Sequence, residues 1–316
     1  MTYTGFYSYI QISNWRGIVI YQNIFYHYKK RRIHIWDDKK GYSVHPFSQY
    51  AYVKDGKGTY TSLYGDKVRR LPISKIDETD VAFESDVMPE IRFLVDKYTD
   101  SDEVSEGHRV MFFDIEVEVT QGFPDVNKAD NTITSIAFYD ELTKQYYCYV
   151  LDVENKVNAN QFGETTVIKF KDERDLLTAF FTKYLEISPT IISGWNSDRF
   201  DVPYLYNRTI RLLGQQAANC LSPIGMVEFQ KHKGTYKIAG VASLDYFELY
   251  RKLSFGERSS YRLDDIGKLE VGLKKVAYEG TLNDLYDGDR NKFVEYNIND
   301  VVILEKLDAK LDFIGI

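Results

Sequence analysis

Residues 109–119 read RVMFFDIEVEV. Asp114, Glu116 and Glu118 alternate with Phe113, Ile115 and Val117. A β-strand puts the acids on one face and those apolar side chains on the other. Two carboxylates two residues apart on a partly buried strand repel each other and lose hydration. They persist where something positive sits between them, and a divalent cation is the usual answer. The other reading is a solvent-facing edge strand, which Glu118, continuing the same face, would suit.

Outward from this strand the chain alternates strands and helices. Strands are predicted at 132–139 (TITSIAFY), 145–151 (QYYCYVL), 165–170 and 190–194 (TIISG), and helices at 172–186, 201–213 and 290–310. In the last, Val294, Ile298, Val301, Val302, Leu304 and Leu307 recur at helical spacing. Mixed strands with helices outside predict an α/β layered domain over 106–316. Upstream, residues 5–35 alternate and are rich in Tyr, Ile and Val, which predicts short antiparallel strands in a smaller β-rich domain over 1–105. The segment KDGKG at 54–58 is a turn signal, 87–98 suits a short helix, and TDSDEVSEGHR at 99–109 suits a linker. A length of 316 residues agrees with two domains.

Hydrophobic residues make up 44% and charged residues 28%, the balance of a folded globular chain. Cys148 and Cys220 are too far apart for a zinc or redox spacing, and a reducing cytosol is the natural setting. The start MTYTGFYSYIQ lacks the pattern of a signal peptide, and no apolar run approaches the roughly 20 residues that span a bilayer. No membrane partner is expected. The net charge of -7 taken alone argues against a nucleic-acid partner, yet it is unevenly spread. The first 75 residues hold 13 Lys and Arg against 4 Asp and Glu. The sharpest basic run, Lys29 to Arg32, lies among Tyr26, His27, Tyr28 and His34, a mixture that suits a phosphate-and-base surface or a strand edge blunted by charge.

Two further segments carry acids. In GWNSDRFD, 194–201, a strand runs into a turn and Asp201 stands where a helix should begin, a position an ordinary N-cap would also fill. In YNIND, 296–300, Tyr296 and Asp300 are i and i+4 on one helix face. A phenol beside a carboxylate can position a water for attack. A plain polar helix face is the alternative.

The ordered combination is more specific than its parts. An acidic pair on an early strand, N-x(4)-D before a helix and a late Y-x(3)-D resemble the three motifs of the 3′→5′ proofreading exonuclease of family B DNA polymerases, the DEDD class with a tyrosine. Gly122-Phe123-Pro124, Gly194-Trp195-Asn196, Phe200-Asp201-Val202-Pro203-Tyr204, Leu244-Asp245-Tyr246, Ser260-Tyr261-Arg262-Leu263-Asp264 and Tyr296 to Asp300 are similar to the polymerases of T-even-type tailed phages. The likeness extends more weakly into residues 40–70.

The resemblance implies a ribonuclease H-like fold, a mixed sheet flanked by helices. It implies that Asp114, Glu116, Asp201 and Asp300 hold two divalent ions, Mg²⁺ or Mn²⁺, about 3.5–4 Å apart. By this analogy Asp114 bridges both ions, Glu116 and Asp300 complete one site, Asp201 supports the other, and Tyr296 orients the attacking water. The implied substrate is the 3′ end of single-stranded DNA or of a primer, released as nucleoside 5′-monophosphates. Phe123, Asn196 and Phe200 would touch it, with core packing as the other reading of both phenylalanines. Residues 227–240, two short strands around Lys233-Gly234, would be the hairpin that passes a primer between sites. For Lys274 or Lys275 the plainer reading is a solvated lysine, and the other is assistance to phosphate charge. The palm motifs of nucleotidyl transfer are not found, and Ser62 to Asp66 only superficially echoes them. The palm, fingers and thumb are therefore expected as a missing part or a separate chain, in the cytoplasm of a phage-infected bacterium. The competing expectation is a non-catalytic nucleic-acid-binding fragment working through residues 1–75 with a polymerase chain.

Overall fold

A computed structural model describes residues 20–37, 41–98, 106–119 and 122–316. The chain divides into two compact units, Met1–Glu106 and Gly107–Ile316. In the first, β1 (Tyr21–His27), β2 (Arg32–Asp37) and β3 (Gly41–Pro46) form an antiparallel sheet. Strands β4 (Tyr50–Lys54), β5 (Tyr60–Thr61), β6 (Lys67–Pro72) and β7 (Ala82–Phe83) form another, in the order β5-β6-β4-β7. Helix α1 (Pro89–Tyr98) follows. Tyr26, Ile33, Ile35 and Phe93 are buried together, each worth about 1.5–3 kcal/mol of transfer free energy. Lys29, Lys30 and Arg31 lie in the turn of the β1–β2 hairpin and Arg32 opens β2, all four exposed at the hairpin tip. Ser62 to Asp66 is the turn between β5 and β6, closed by the Gly65 N–H on the Ser62 carbonyl. The strands expected over 5–19 and most of the linker lie outside the described residues.

The second unit is a mixed sheet between helices. Its strands are β8 (Val110–Val117), β9 (Ile133–Asp140), β10 (Gln145–Leu151), β11 (Thr166–Phe170), β12 (Ile191–Ser193) and, after the hairpin β13 (Val227–Gln230) and β14 (Thr235–Ile238), β15 (Ala242–Ser243). The order is β11-β10-β9-β8-β12-β15. Strand β8 is antiparallel to β9 and parallel to β12. It is an interior strand, which removes the edge-strand reading of its acids. The helices are α2 (Glu173–Ile187), α3 (Asp201–Leu213), α4 (Gln215–Ala218), α5 (Tyr246–Leu253), α6 (Leu263–Val271), α7 (Leu282–Gly288) and α8 (Arg290–Leu311).

The period-two pattern of β8 divides the core. Met111, Phe113, Ile115 and Val117 join Leu176, Leu177, Phe180, Val202 and Leu205 of α2 and α3. On the opposite face Val110 and Phe112 join Tyr246, Ile266, Phe293, Val301 and Leu304 of α5, α6 and α8. Asp114 and Glu116 are on this second face, where the apolar layer opens. A buried ion pair fixes α2 to α3. Arg208 meets Glu173 at 2.5 Å and donates to the carbonyls of Ala129 and Asp130, so the guanidinium and carboxylate are paired inside the fold.

Candidate active site

Strand β8 and helix α8 bring three acids together. One carboxylate oxygen from each of Asp114, Glu116 and Asp300 lies within 4.8 Å of the other two. Asp114 and Glu116 share a face because they are two apart on a strand. Asp300 reaches them because α8 packs against β8 and β9 with Asn297 and Asp300 turned inward. Asn297 is fully buried: its Nδ2 donates to Asp114 Oδ2 at 2.7 Å, and its Oδ1 accepts the Ser135 hydroxyl at 2.7 Å. One amide thus sets the distance between β8, β9 and α8.

Burial and mutual repulsion decide the protonation of this group. Burial, then Glu116, Asp201 and Asp300, hold the Asp114 carboxyl well above its usual range. Burial and Asp300 push Glu116 up to about 8. Burial raises Asp300 to about 6, against the pull of the Lys275 ammonium. Lys275 donates to Asp300 Oδ2 and, at 2.9 Å, to the Tyr296 hydroxyl. Burial alone would lower the ammonium, but Asp300, Tyr296 and Asp114 outweigh it and hold Lys275 charged. Its backbone N–H is fixed by Asp264 at 2.7 Å. Tyr296 is pushed up by burial, Asp300 and Glu116, so it stays a phenol, and Tyr278 stands edge-on to it at 5.4 Å.

Asp201 is beside these three but not one of them. It is the first residue of α3, while Phe200 holds the capping position without a side-chain bond. Its Oδ1 accepts the backbone N–H of Ile115 at 3.1 Å, between the two acids of β8. Burial raises it to about 7, and that backbone bond holds it back. The turn before it lies against β8: a Cβ on Gly194 would come 2.7 Å from the Phe113 carbonyl oxygen.

The arrangement fits a divalent ion. Three carboxylates, Asp300 buried and Asp114 and Glu116 half-buried, converge with one ammonium among them, and Asp300 Oδ1 is buried without a hydrogen-bond partner. Oxygen donors of this kind suit a hard divalent cation such as Mg²⁺, Ca²⁺ or Mn²⁺.

The remaining residues singled out in the sequence divide. Phe123 is 80% exposed, its ring 5.0 Å from that of Phe200, so core packing does not account for it. Phe200 is half-buried and packs on Tyr204 and the apolar cluster of α2 and α3. Asn196 is in the left-handed region at φ 65°, and its N–H donates to Asp245. Lys275 is not the solvated lysine of the plainer reading, whereas Lys274 is exposed. Asn297 and Tyr278 were missed. Asn297 sits inside the YNIND motif, but nothing local says that an amide one residue past the tyrosine points inward.

The chain matches the DNA polymerase family B exonuclease domain over residues 72–266. It is 27% identical over 308 residues to the DNA-directed DNA polymerase of Escherichia phage RB69, across 85% of this chain and 34% of that protein. It is 31% identical over 235 residues to the DNA-directed DNA polymerase of Enterobacteria phage T4, across 66% of this chain and 26% of that protein. DNA polymerase 1 of Sulfurisphaera ohwakuensis is 30% identical over 215 residues. The chain spans about a third or less of the length of these relatives.

Proposed function

The chain belongs to the family of DNA polymerase family B exonuclease domains, and from that premise we propose that it is a metal-dependent 3′→5′ exonuclease with a proofreading role. Its substrate is the 3′ end of single-stranded DNA or of a primer, and its products are nucleoside 5′-monophosphates. The convergence of the Asp114, Glu116 and Asp300 carboxylates within 4.8 Å carries this reading.

Asp114, Glu116 and Asp300 would hold the divalent ions, with Asp201 at the margin. Bound ions of this kind generate hydroxide from water at neutral pH and stabilise a leaving oxygen. Tyr296 keeps its proton and hydrogen-bonds the attacking water, oriented by Lys275 on its hydroxyl and Tyr278 against its ring. The Lys275 charge also favours the approach of phosphate. Phe123 offers an exposed ring to the terminal bases, and Phe200 and Asn196 border the same approach. We assign the mixed sheet to the ribonuclease H-like fold, which the acids on an interior strand support. We place a domain boundary near residue 105 and the working location in the cytoplasm of an infected bacterium. No helix among the described residues is long and apolar enough to cross a membrane. The palm, fingers and thumb that complete a polymerase would come from further sequence or from a separate chain.

The test is the purified protein on a labelled single-stranded oligonucleotide with Mg²⁺ or Mn²⁺. Stepwise loss from the 3′ end is expected, abolished in Asp114→Ala. An intact substrate, or an Asp114→Ala variant as active as the parent, defeats the reading. A second reading, nucleic-acid binding without turnover, is favoured by the exposed Lys29 to Arg32 tip. It requires salt-dependent binding that is lost when those four residues are neutralised while no nucleotide is released.

A further inference from the structure

Asp245, which accepts the Asn196 N–H, is 4% exposed and serves two elements at once. As the N-cap of α5 its Oδ1 accepts the Phe247 N–H at 3.0 Å. The same oxygen accepts the Asn196 N–H at 2.9 Å, and Oδ2 accepts the Asp198 N–H at 3.2 Å. An N-cap needs one such bond. The other two come from the turn 194–200, between β12 and the Asp201 that opens α3. A second tie runs alongside: the Ser243 hydroxyl at the end of β15 donates to Asp198 Oδ1 at 2.5 Å. The Tyr246 N–H donates to the Gly194 carbonyl, and the Trp195 indole N–H to the Tyr261 carbonyl at 3.2 Å.

We propose that Asp245 is a positioning residue of the nuclease site, its carboxylate holding the turn 194–200 in the shape that presents Asn196 and Phe200 and delivers Asp201 to the backbone of β8. The inference rests on the exonuclease reading above. The tie fixes a turn in which Asn196 adopts a left-handed backbone, a region asparagine visits more readily than other residues with a side chain but does not hold by itself. Released, the turn relaxes, and the Asp201 bond to the Ile115 N–H, between Asp114 and Glu116, shifts with it. Hydrogen bonds from N–H groups to a carboxylate are among the stronger ones, so this single side chain outweighs the local preference.

Asp245→Ser separates the two roles. Serine caps a helix about as well as aspartate but is too short to reach Asn196 and Asp198. Asp245→Asn keeps the shared oxygen for Asn196 and Phe247 and turns an amide on the Asp198 N–H. We expect Asp245→Ser to melt within a few degrees of the parent. Because a 1 Å misplacement costs on the order of 100-fold, its kcat/KM on single-stranded DNA should fall roughly 10- to 100-fold, with Asp245→Asn between the two. Trp195 gives a readout independent of turnover. In a Trp15→Phe/Trp36→Phe background it is the one remaining tryptophan of three, and acrylamide should quench it more readily in Asp245→Ser than in Asp245 protein. Parent-like kcat/KM and quenching in both variants would overturn the proposal. Should Asp245→Ser fail to fold, Asp245→Asn alone decides. If the parent releases no nucleotide the exonuclease reading fails, while the quenching comparison still reports the tie.

Discussion

In the presence of a chelator this protein should lose stability as pH rises from about 4.5 to 8. Glu116 is raised from 4.5 to about 8, Asp201 from 3.8 to about 7 and Asp300 from 3.8 to about 6. In that window the folded chain binds more protons than the unfolded chain, so the free energy of unfolding falls with increasing pH. Well below 3.8 both states are protonated, and above about 8 both are ionised. One pH unit is worth about 1.4 kcal/mol per proton, so the Glu116 contribution by itself is at most about 5 kcal/mol. Neighbours in one pocket share protons, which leaves a net of roughly 3 kcal/mol. For a unit of this size that is about 6–12 °C in Tm. Thermal unfolding in EDTA at pH 5, 6, 7 and 8 measures it, with Mg²⁺ added in a parallel series. Magnesium should restore stability at pH 8 and do little at pH 5, and Glu116→Gln/Asp300→Asn should flatten the dependence. The reasoning is falsified if the parent in EDTA is equally or more stable at pH 8 than at pH 5.

Lys275→Met removes the cation bound to Asp300. Two charges 4 Å apart are worth about 4 kcal/mol at an effective dielectric of 20. With the lysine side chain 30% exposed, about a third of that survives, so the pH–rate profile of nucleotide release should move about one unit to the alkaline side. An unmoved profile would show that Lys275 does not tune the carboxylates. Asn297→Leu strands the Ser135 hydroxyl and Asp114 Oδ2 inside the pocket at about 1–3 kcal/mol for each group, which a lower urea midpoint would register. Arg208→Met leaves Glu173 buried without its partner and should cost about 3–5 kcal/mol in the same assay, with turnover retained at low temperature.

Much of the second unit was legible because its elements carry strong periodicity. The expected strand at 132–139 is β9 at Ile133–Asp140, and the helix at 290–310 is α8 at Arg290–Leu311. The acids of β8 were legible too, because ionisable residues inside an apolar alternation are conspicuous. That β8 is an interior strand was not, since sheet order depends on β12 and on β15, which is only two residues long and has no period to detect. Helices α5 and α7, of 8 and 7 residues, fall below the length at which a pattern separates from chance. The partners of Lys275 and Asp245 escaped for a different reason. Lys275 acts on Asp300, 25 positions away, and Asp245 on Asn196, 49 positions away, and only the packed structure joins them. A lysine followed by a few apolar residues has the same local signature whether it faces water or a carboxylate.

Helix α8 gives Tyr296, Asn297 and Asp300 to the pocket and Phe293, Val294, Val301 and Leu304 to the core within a few turns. Each residue advances a helix by about 100°. Inserting or deleting a single residue early in α8 would therefore turn the phenol, the amide and the carboxylate away together and force apolar side chains toward water. The exposed bend at Lys231–Gly234 between β13 and β14 has no such constraint. Changes in chain length among relatives should gather there and be scarce across residues 290–307.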